Sequence, residues 1–187
     1  MKEIILESIH TKEMLLDQKY LDQIDKIANI LVFALKNKKK IFMAGNGGSA
    51  ADAQHFAAEL AGKFEKERKG LSAFALTANT SNITAIGNDY GFDVIFSRQI
   101  EGQGDEGDVF VGISTSGNSK NIVHAIETAK KMKMAAIGLL GNQGGIIKNL
   151  CDTSIVIPSN STARIQECHI LIIHILSKII DNAFYHD

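Results

Sequence analysis

The sequence predicts an α/β protein in which helices flank a doubly wound, five-stranded parallel sheet. Five short apolar runs recur along the chain, and segments with helical periodicity separate them. Gly, Ser or Asn bounds these runs, which is typical of strands covered on both faces by helices. Because strands and helices alternate, right-handed crossovers are expected to connect the strands and to place helices on both sides of the sheet.

The predicted elements follow one another without a linker, so we expect a single domain over residues 1–187. Residues 1–36 are expected to be mostly helical, because apolar residues recur every three or four positions from Leu21 to Leu35. The predicted strands are Ile41–Ala44, Ala73–Leu76, Val109–Ile113, Ala135–Leu140 and Ser154–Ile157. The helices predicted after the first strand span residues 49–62, 81–99, 119–133 and 162–184.

The last predicted helix is apolar around most of its circumference. Isoleucine or leucine occupies positions 165, 170–173, 175, 176, 179 and 180. A helix of this kind must be buried, and a chain of 187 residues offers little core to cover it. We therefore expect the C-terminal helix, together with the N-terminal helix, to lie at subunit interfaces.

Composition and charge exclude several classes of protein. Hydrophobic residues make up 45% of the chain and charged residues 22%, close to globular averages, which argues against disorder. The formal net charge is −1, and the dense basic cluster from Lys36 to Lys40 is typical of a solvated helix end. We therefore expect no nucleic-acid partner.

The cysteines and the apolar stretches bear on location. Cys151 and Cys168 are the only cysteines, which is too few for a disulfide framework and suits a reducing cytosol. The N-terminal residues do not have the pattern of a signal peptide. The most apolar stretch, Cys168–Ile180, is too short to cross a bilayer. A cytoplasmic protein without a membrane partner is expected.

Two of the predicted strands end in loops suited to anions. Gly45, Asn46, Gly47, Gly48 and Ser49 follow the first strand, whereas Ser114, Thr115, Ser116, Gly117, Asn118 and Ser119 follow the third. Open α/β sheets bind ligands at this edge, where helix N-termini offer free N–H groups and a positive dipole end. Glycines allow close approach of the backbone, and four hydroxyls add neutral donors. Tight turns with N-caps are the alternative, but two such loops favour phosphate binding.

The first loop also matches the dinucleotide fingerprint G-x-G-x-x-A through Gly45, Gly47 and Ala50. That fingerprint requires an acidic residue about 20 positions later, at the end of the second strand, to bind a ribose. The second predicted strand ends at Leu76 and is followed by Thr77 and Ala78, so the acid is missing. A nicotinamide cofactor is therefore not expected.

Polar side chains suited to catalysis or metal binding lie on the helix after the first loop and on the last helix of the chain. His55 and Glu59 are four positions apart and share a helix face, which also carries Asp52. The last helix adds Gln166, Glu167, His169 and His174 among apolar residues. An exposed ion pair and satisfied core histidines are the alternative interpretation of these residues.

Residues 45–60, which read GNGGSAADAQHFAAEL, resemble the hallmark segment of bacterial phosphoheptose isomerases, enzymes with a sugar isomerase (SIS) domain. Three further segments agree with that resemblance: residues 87–92, residues 112–119, and Arg164 to Glu167 followed by His174. The resemblance covers nearly the whole chain. Two positions depart from the family pattern, since Lys63 stands where arginine is common and Ala163 where aspartate is often seen.

The resemblance implies conversion of sedoheptulose 7-phosphate to an aldoheptose 7-phosphate, for the ADP-heptose of lipopolysaccharide or capsule, by a homotetramer. It implies that Glu59 and His174 are the acid–base pair. The phosphate would be held by Ser114, Thr115, Ser116 and Ser119. The sugar would be lined by Asn46, Gly47, Gly48, Ser49, Glu59, Asn88, Asp89 and Gln166. Zinc would be held by His55, Glu59, Gln166 and His174.

The chemistry independently asks for such groups. Exchange between ketose and aldose moves a proton between C1 and C2, which needs a base and a second proton donor. Zinc or an imidazolium would stabilise the developing oxyanion. If Glu59 ligates zinc it is not also a free base, so the division of roles stays open.

Two other functions of the fold compete with catalysis. A non-catalytic SIS relative binds the bacterial replication initiator, but it lacks a glutamate at the position of Glu59. A sugar-phosphate-sensing regulator would carry an added DNA-binding domain, for which 187 residues leave no room. The isomerase is therefore the expected function.

Overall fold

The computed structural model describes residues 1–185, and within them the predicted sheet is present. Its five parallel strands are β1 Ile41–Ala44, β2 Ala73–Ala75, β3 Val109–Ser114, β4 Ala135–Leu140 and β5 Thr153–Val156. The strand order is β2-β1-β3-β4-β5. The order reverses between β1 and β3, so the loops after these strands flank the crevice where open α/β sheets bind ligands.

Eight α-helices connect and flank these strands in the described part of the chain. They are α1 Lys2–Glu13, α2 Gln18–Lys36, α3 Gly48–Ala61, α4 Thr80–Tyr90, α5 Ser97–Gln103, α6 Lys120–Lys131, α7 Ile147–Leu150 and α8 Thr162–Phe184. Short 3-10 helices span Met14–Leu16 and Phe92–Val94.

The two faces of the sheet support two separate cores, because successive side chains of a strand point to opposite sides. Ile41 and Met43 of β1 pack in the core formed with α2, α3 and α8. Phe42, between them, belongs to the second core, which includes residues of α5, α6 and α7. β3 divides its side chains in the same way. The predicted doubly wound architecture is confirmed.

The single helix predicted over residues 81–99 is wrong. α4 ends at Tyr90, and Gly91 has φ +92°, a backbone conformation that ends an α-helix and that glycine adopts without strain. A 3-10 turn and α5 follow instead. α7, with only four residues, was not predicted, because so short a helix carries too few residues to show a periodicity.

α8 has the predicted span but is covered largely within its own chain. Ile165, Ile172, Ile173 and Leu176 are fully buried, and α1, α2, α3 and β4 pack against the helix. Its apolar circumference therefore does not by itself require a partner subunit. Exposed apolar side chains lie instead on α1, at Ile4, Ile5, Leu6 and Ile9. Among the described helices, none combines the length and apolarity needed to cross a membrane.

Candidate active site

The glycine-rich loop after β1 leads directly into α3. Gly47 has φ +55°, and the N–H of Ser49 donates a hydrogen bond of 3.0 Å to the carbonyl of Asn46. A Cβ at Gly45 would overlap the backbone of Ser49, so this turn requires glycine. Gly47 and Gly48 are exposed, whereas Ser49 is only 3% exposed. The loop therefore offers backbone N–H groups to a ligand more readily than the Ser49 hydroxyl.

The serine-rich loop after β3 gathers the hydroxyls of its serines at one point. The Oγ of Ser114 lies 3.0 Å from the Oγ of Ser119 and 3.5 Å from that of Ser116. The N–H of Gly117 donates to Ser114, at 3.2 Å. Ser119 immediately precedes α6, yet its side chain makes no capping bond to that helix. Clustering of the hydroxyls at a helix N-terminus favours an anion cradle over simple helix capping.

A pair of amides joins the two loops. The Nδ2 of Asn46 donates to the Oδ1 of Asn121 at 3.0 Å, and the Nδ2 of Asn121 donates back to the Oδ1 of Asn46 at 2.9 Å. Asn121 lies in the first turn of α6 and is 3% exposed. Sequence reasoning missed Asn121, because nothing local to it signals a partner 75 positions away. The reciprocal bonds hold the two loops in register.

Three of the predicted catalytic or metal-binding residues converge between α3 and α8. The Nε2 of His55 lies 2.9 Å from the Oε1 of Glu59 and 3.0 Å from the Nε2 of His174. One ligand atom from each residue lies within 4.8 Å of the others. The side chain of Glu59 is 23% exposed, so the cluster is open to a ligand. Phe64 packs on the ring of His174, with 5.5 Å between ring centroids.

The cluster of His55, Glu59 and His174 has the donors of a zinc site. Imidazole nitrogen and carboxylate oxygen are common zinc ligands, and three protein ligands leave a position for water or substrate. Zinc–ligand bonds of about 2.05 Å at the tetrahedral angle separate ligand atoms by about 3.3 Å. The separations of 2.9 and 3.0 Å are close to that value. The donor types and these two separations fit a metal ion, and the ligand atoms of all three residues lie within 4.8 Å of one another.

Gln166, the fourth predicted zinc ligand, lies at the loop end of α3. Its carboxamide packs over Gly48, where an added Cβ would be 2.8 Å from Cδ of Gln166. Gly48 and His55 are seven residues apart on α3, about 10 Å along the helix axis. The structure thus brings together three of the four predicted zinc ligands and places Gln166 at the loop end of α3.

His169 is a core residue and not part of the site. It is fully buried, and its Nε2 lies 3.0 Å from the carbonyl oxygen of Leu140. Burial lowers the pKa of His169 to about 4, against a smaller opposing effect of this hydrogen bond. The ring is therefore neutral at physiological pH, as the core interpretation requires.

Comparison with known proteins shows the family of this chain and its fold. Residues 7–141 match the family model described as SIS domain. A phosphoheptose isomerase from Nitratiruptor sp. is 61% identical over 155 residues, which cover 83% of each chain. The structures of phosphoheptose isomerases from Francisella tularensis and Neisseria gonorrhoeae match with TM-scores of 0.93 and 0.91, at 40% and 45% identity. Both matches cover 97% of this chain and 96% of the other.

The chain belongs to the phosphoheptose isomerase family. The fold and the family expected from the sequence are thereby confirmed, and these relatives give no support to the replication-initiator alternative.

Two residues that the phosphoheptose isomerase resemblance assigns to the sugar lie at an exposed helix end. Asn88 and Asp89 lie in the exposed last turn of α4, where the Nδ2 of Asn88 donates to Asp89 at 2.8 Å. No contact described for them reaches either loop. The two departures from the family pattern also lie on the surface: Lys63 pairs with Glu67 at 2.6 Å, and Ala163 is exposed at the start of α8.

Proposed function

We propose that this chain converts sedoheptulose 7-phosphate to D-glycero-D-manno-heptose 7-phosphate, in bacterial heptose biosynthesis in the cytoplasm. The observation that carries the proposal is the convergence of His55, Glu59 and His174 at the helix that follows the glycine-rich loop. The Asn46–Asn121 pair joins that loop to the end of the hydroxyl-lined loop. The reacting carbons, C1 and C2, lie at the opposite end of the heptose from its phosphate. The spacing of about two helical turns between the loop end of α3 and His55 suits such a substrate.

The proposed reaction moves one proton between carbons and one between oxygens. Removal of a proton from C1 and protonation of the C2 oxygen give an enediol. Loss of the proton from the C1 oxygen and protonation of C2 then complete the aldose. Glu59 and His174 are the proposed acid–base pair, since carboxylates and imidazoles are common general acids and bases in enzymes.

We further propose that His55, Glu59 and His174 hold zinc, with Gln166 as the predicted fourth ligand. The support is the donor set and the separations within the cluster. Bound zinc would polarise the substrate oxygen on which negative charge develops. A group that ligates zinc through its proton-accepting atom is not at the same time a free base, so the metal and acid–base roles of Glu59 and His174 compete.

The remaining predicted residues are proposed to bind the substrate. Ser114, Thr115, Ser116 and Ser119 would hold the phosphate, supported by the clustered hydroxyls and the helix N-terminus behind them. The sugar would contact residues from the first loop and beyond: Asn46, Gly47, Gly48, Ser49, Asn88, Asp89 and Gln166. Because one amide pair joins the loops, Asn46 would contribute mainly by orienting them.

The active form is proposed to be a homo-oligomer, expected to be a tetramer. The exposed apolar side chains of α1 need a cover, and a second copy of the chain would supply one. Assembly would also bring Asn88 and Asp89 beside the site of another subunit. Their side chains bond to each other and not to either loop of their own chain, among the hydrogen bonds of residues 1–185.

The function is tested by incubating purified protein with sedoheptulose 7-phosphate and following formation of the aldoheptose phosphate. Glu59→Gln keeps the side-chain volume but removes the base, and we expect a loss of about 10²- to 10⁴-fold in kcat. Glu65→Gln is the matched control, because Glu65 is exposed and six positions away. Turnover by Glu59→Gln near the parent level would contradict the assignment of Glu59, and an inactive parent protein would contradict the proposed reaction.

A further inference from the structure

The structure contains a buried ion pair close to the His55, Glu59 and His174 cluster but separate from it. The Nε of Arg68 lies 2.6 Å from the Oδ1 of Asp181, and both side chains are 1% exposed. We propose that this pair is a positioning device that fixes Glu59 on α3 relative to His174 on α8. The inference rests on the proposed function of those two residues.

Both carboxylate oxygens of Asp181 accept hydrogen bonds. Its Oδ2 accepts hydrogen bonds from the backbone N–H groups of Glu65, at 2.7 Å, and Lys66, at 2.9 Å. Burial alone would raise the pKa of Asp181, but the hydrogen bonds from Lys66, Glu65 and Arg68 hold the pKa below its ordinary value. The carboxylate thus stays charged and attaches α8 to the segment that follows α3.

Arg68 closes the C-terminal end of α3. Its Nη2 donates to the carbonyl oxygen of Glu59 at 2.8 Å, and its Nη1 donates to those of Leu60 and Gly62, at 2.9 and 3.0 Å. The last carbonyls of a helix have no partner within the helix, so these bonds replace the missing ones. One guanidinium therefore caps the helix turn that carries Glu59 and binds it to α8.

The Arg68–Asp181 pair is also connected to His174, the second residue of the proposed acid–base pair. Asp181 follows His174 by seven positions, so both lie on one face of α8, about 10 Å apart along its axis. Phe64, whose ring packs on His174, lies in the segment held by Asp181. Loss of the pair would free the end of α3, this segment and the facing turn of α8 together.

A stabilising role alone is a weaker explanation for such a pair. The free-energy cost of removing two charges from water offsets most of their attraction. Buried ion pairs therefore contribute little more to stability than apolar residues of similar volume. What a fully hydrogen-bonded pair adds is one defined geometry. Catalysis depends on that geometry, because a displacement of about 1 Å costs about 10²-fold in rate.

A second ion pair offers a matched control. Lys178 and Glu65 join the same two parts of the chain, at 3.0 Å, but their side chains are 58% and 51% exposed. Exposed pairs contribute little, so Lys178→Met should leave kcat within about twofold of the parent. A second control, Ile126→Val in the core on the opposite face of the sheet, lowers stability without reaching the site.

The experiment compares Arg68→Lys and Asp181→Asn with these controls. A lysine keeps the charge but does not span the carbonyls that the guanidinium fork reaches, and an asparagine keeps the shape without the charge. We expect kcat to fall at least about tenfold. The KM for sedoheptulose 7-phosphate should change less than kcat, because the serine-rich loop proposed to bind the phosphate follows β3 and is not part of α3 or α8. Zinc affinity, measured by titration against a chromophoric chelator, should fall by about 10- to 100-fold.

Circular dichroism and thermal unfolding establish which variants are folded. If either single variant fails to fold, Arg68→Met combined with Asp181→Leu replaces the charges by apolar groups of similar volume and serves in its place. Folded variants with parental kcat and zinc affinity would overturn the inference. So would an equal loss of kcat in Ile126→Val at matched stability. An inactive parent would instead refute the proposed function.

Discussion

The buried histidine at position 169 makes the stability of this protein depend on pH. His169 is fully buried, and among the described residues its Nδ1 has no hydrogen-bond partner. Burial lowers its pKa to about 4, whereas an unfolded chain has a histidine pKa of about 6.5. Between these values the unfolded chain binds more protons than the folded one. The free energy of unfolding should therefore be highest above about pH 6.5 and decrease as the pH falls toward 4.

The size of this effect follows from the two pKa values of His169. Their difference of about 2.5 units corresponds to about 3 kcal/mol in total, of which about 2 kcal/mol is lost between pH 7 and pH 5. Asp52 acts in the opposite direction, because burial raises its pKa to about 6 against a smaller effect of His55. A comparison of two proteins that both retain Asp52 cancels that contribution.

The assay is urea unfolding of the parent and of His169→Gln at pH 7 and pH 5. Glutamine does not titrate, and its amide N–H retains a donor for the Leu140 carbonyl. Protein concentration is held constant, because self-association would change the apparent stability. Relative to His169→Gln, the parent should lose about 2 kcal/mol on acidification. A difference that is the same at both pH values would refute the assignment of His169 as a buried neutral side chain.

Three further predictions concern the site. Ser119→Ala should raise KM for the phosphorylated substrate about tenfold or more with little change in kcat, since it removes one hydroxyl from the serine-rich loop. Unphosphorylated sedoheptulose should be a very poor substrate. Steady-state kinetics that show no preference for the phosphorylated sugar would contradict this role of the loop. Gly48→Ala should displace the Gln166 carboxamide and lower kcat/KM about tenfold or more. Gly102→Ala, where nothing lies within 4 Å of the new methyl group, should match the parent and is the control. Mixed oligomers of Glu59→Gln and His174→Ala should stay inactive after dissociation and reassociation, because one chain supplies both residues to its cluster; recovered activity would show that subunits share that pair.

Local patterns in the sequence determined the elements and the ends of the strands where ligands bind. Apolar runs bounded by small or polar residues predicted the strands, because burial on both faces selects such runs. The helical period placed His55 and Glu59 on one face of α3 from their spacing alone. The conserved geometry of crossovers then predicted a doubly wound sheet.

Contacts between distant segments were decided only by the tertiary structure. His174 meets His55 across 119 positions, and Arg68 meets Asp181 across 113. The neighbours of α8 within its own chain were likewise not visible from its own pattern. Gln166 is a further example, because the packing of its side chain against Gly48 of another helix was not visible from either segment.

The physical reason is that periodicity reports which face of a helix is buried, but not what buries it. The strand order places α3 and α8 on the same side of the sheet, and packing there selects which side chains meet. Residues such as Asn121 and Arg68 lie in no recognisable local pattern, yet each satisfies a specific distant partner. Their roles follow from that packing and are absent from any short stretch of the chain.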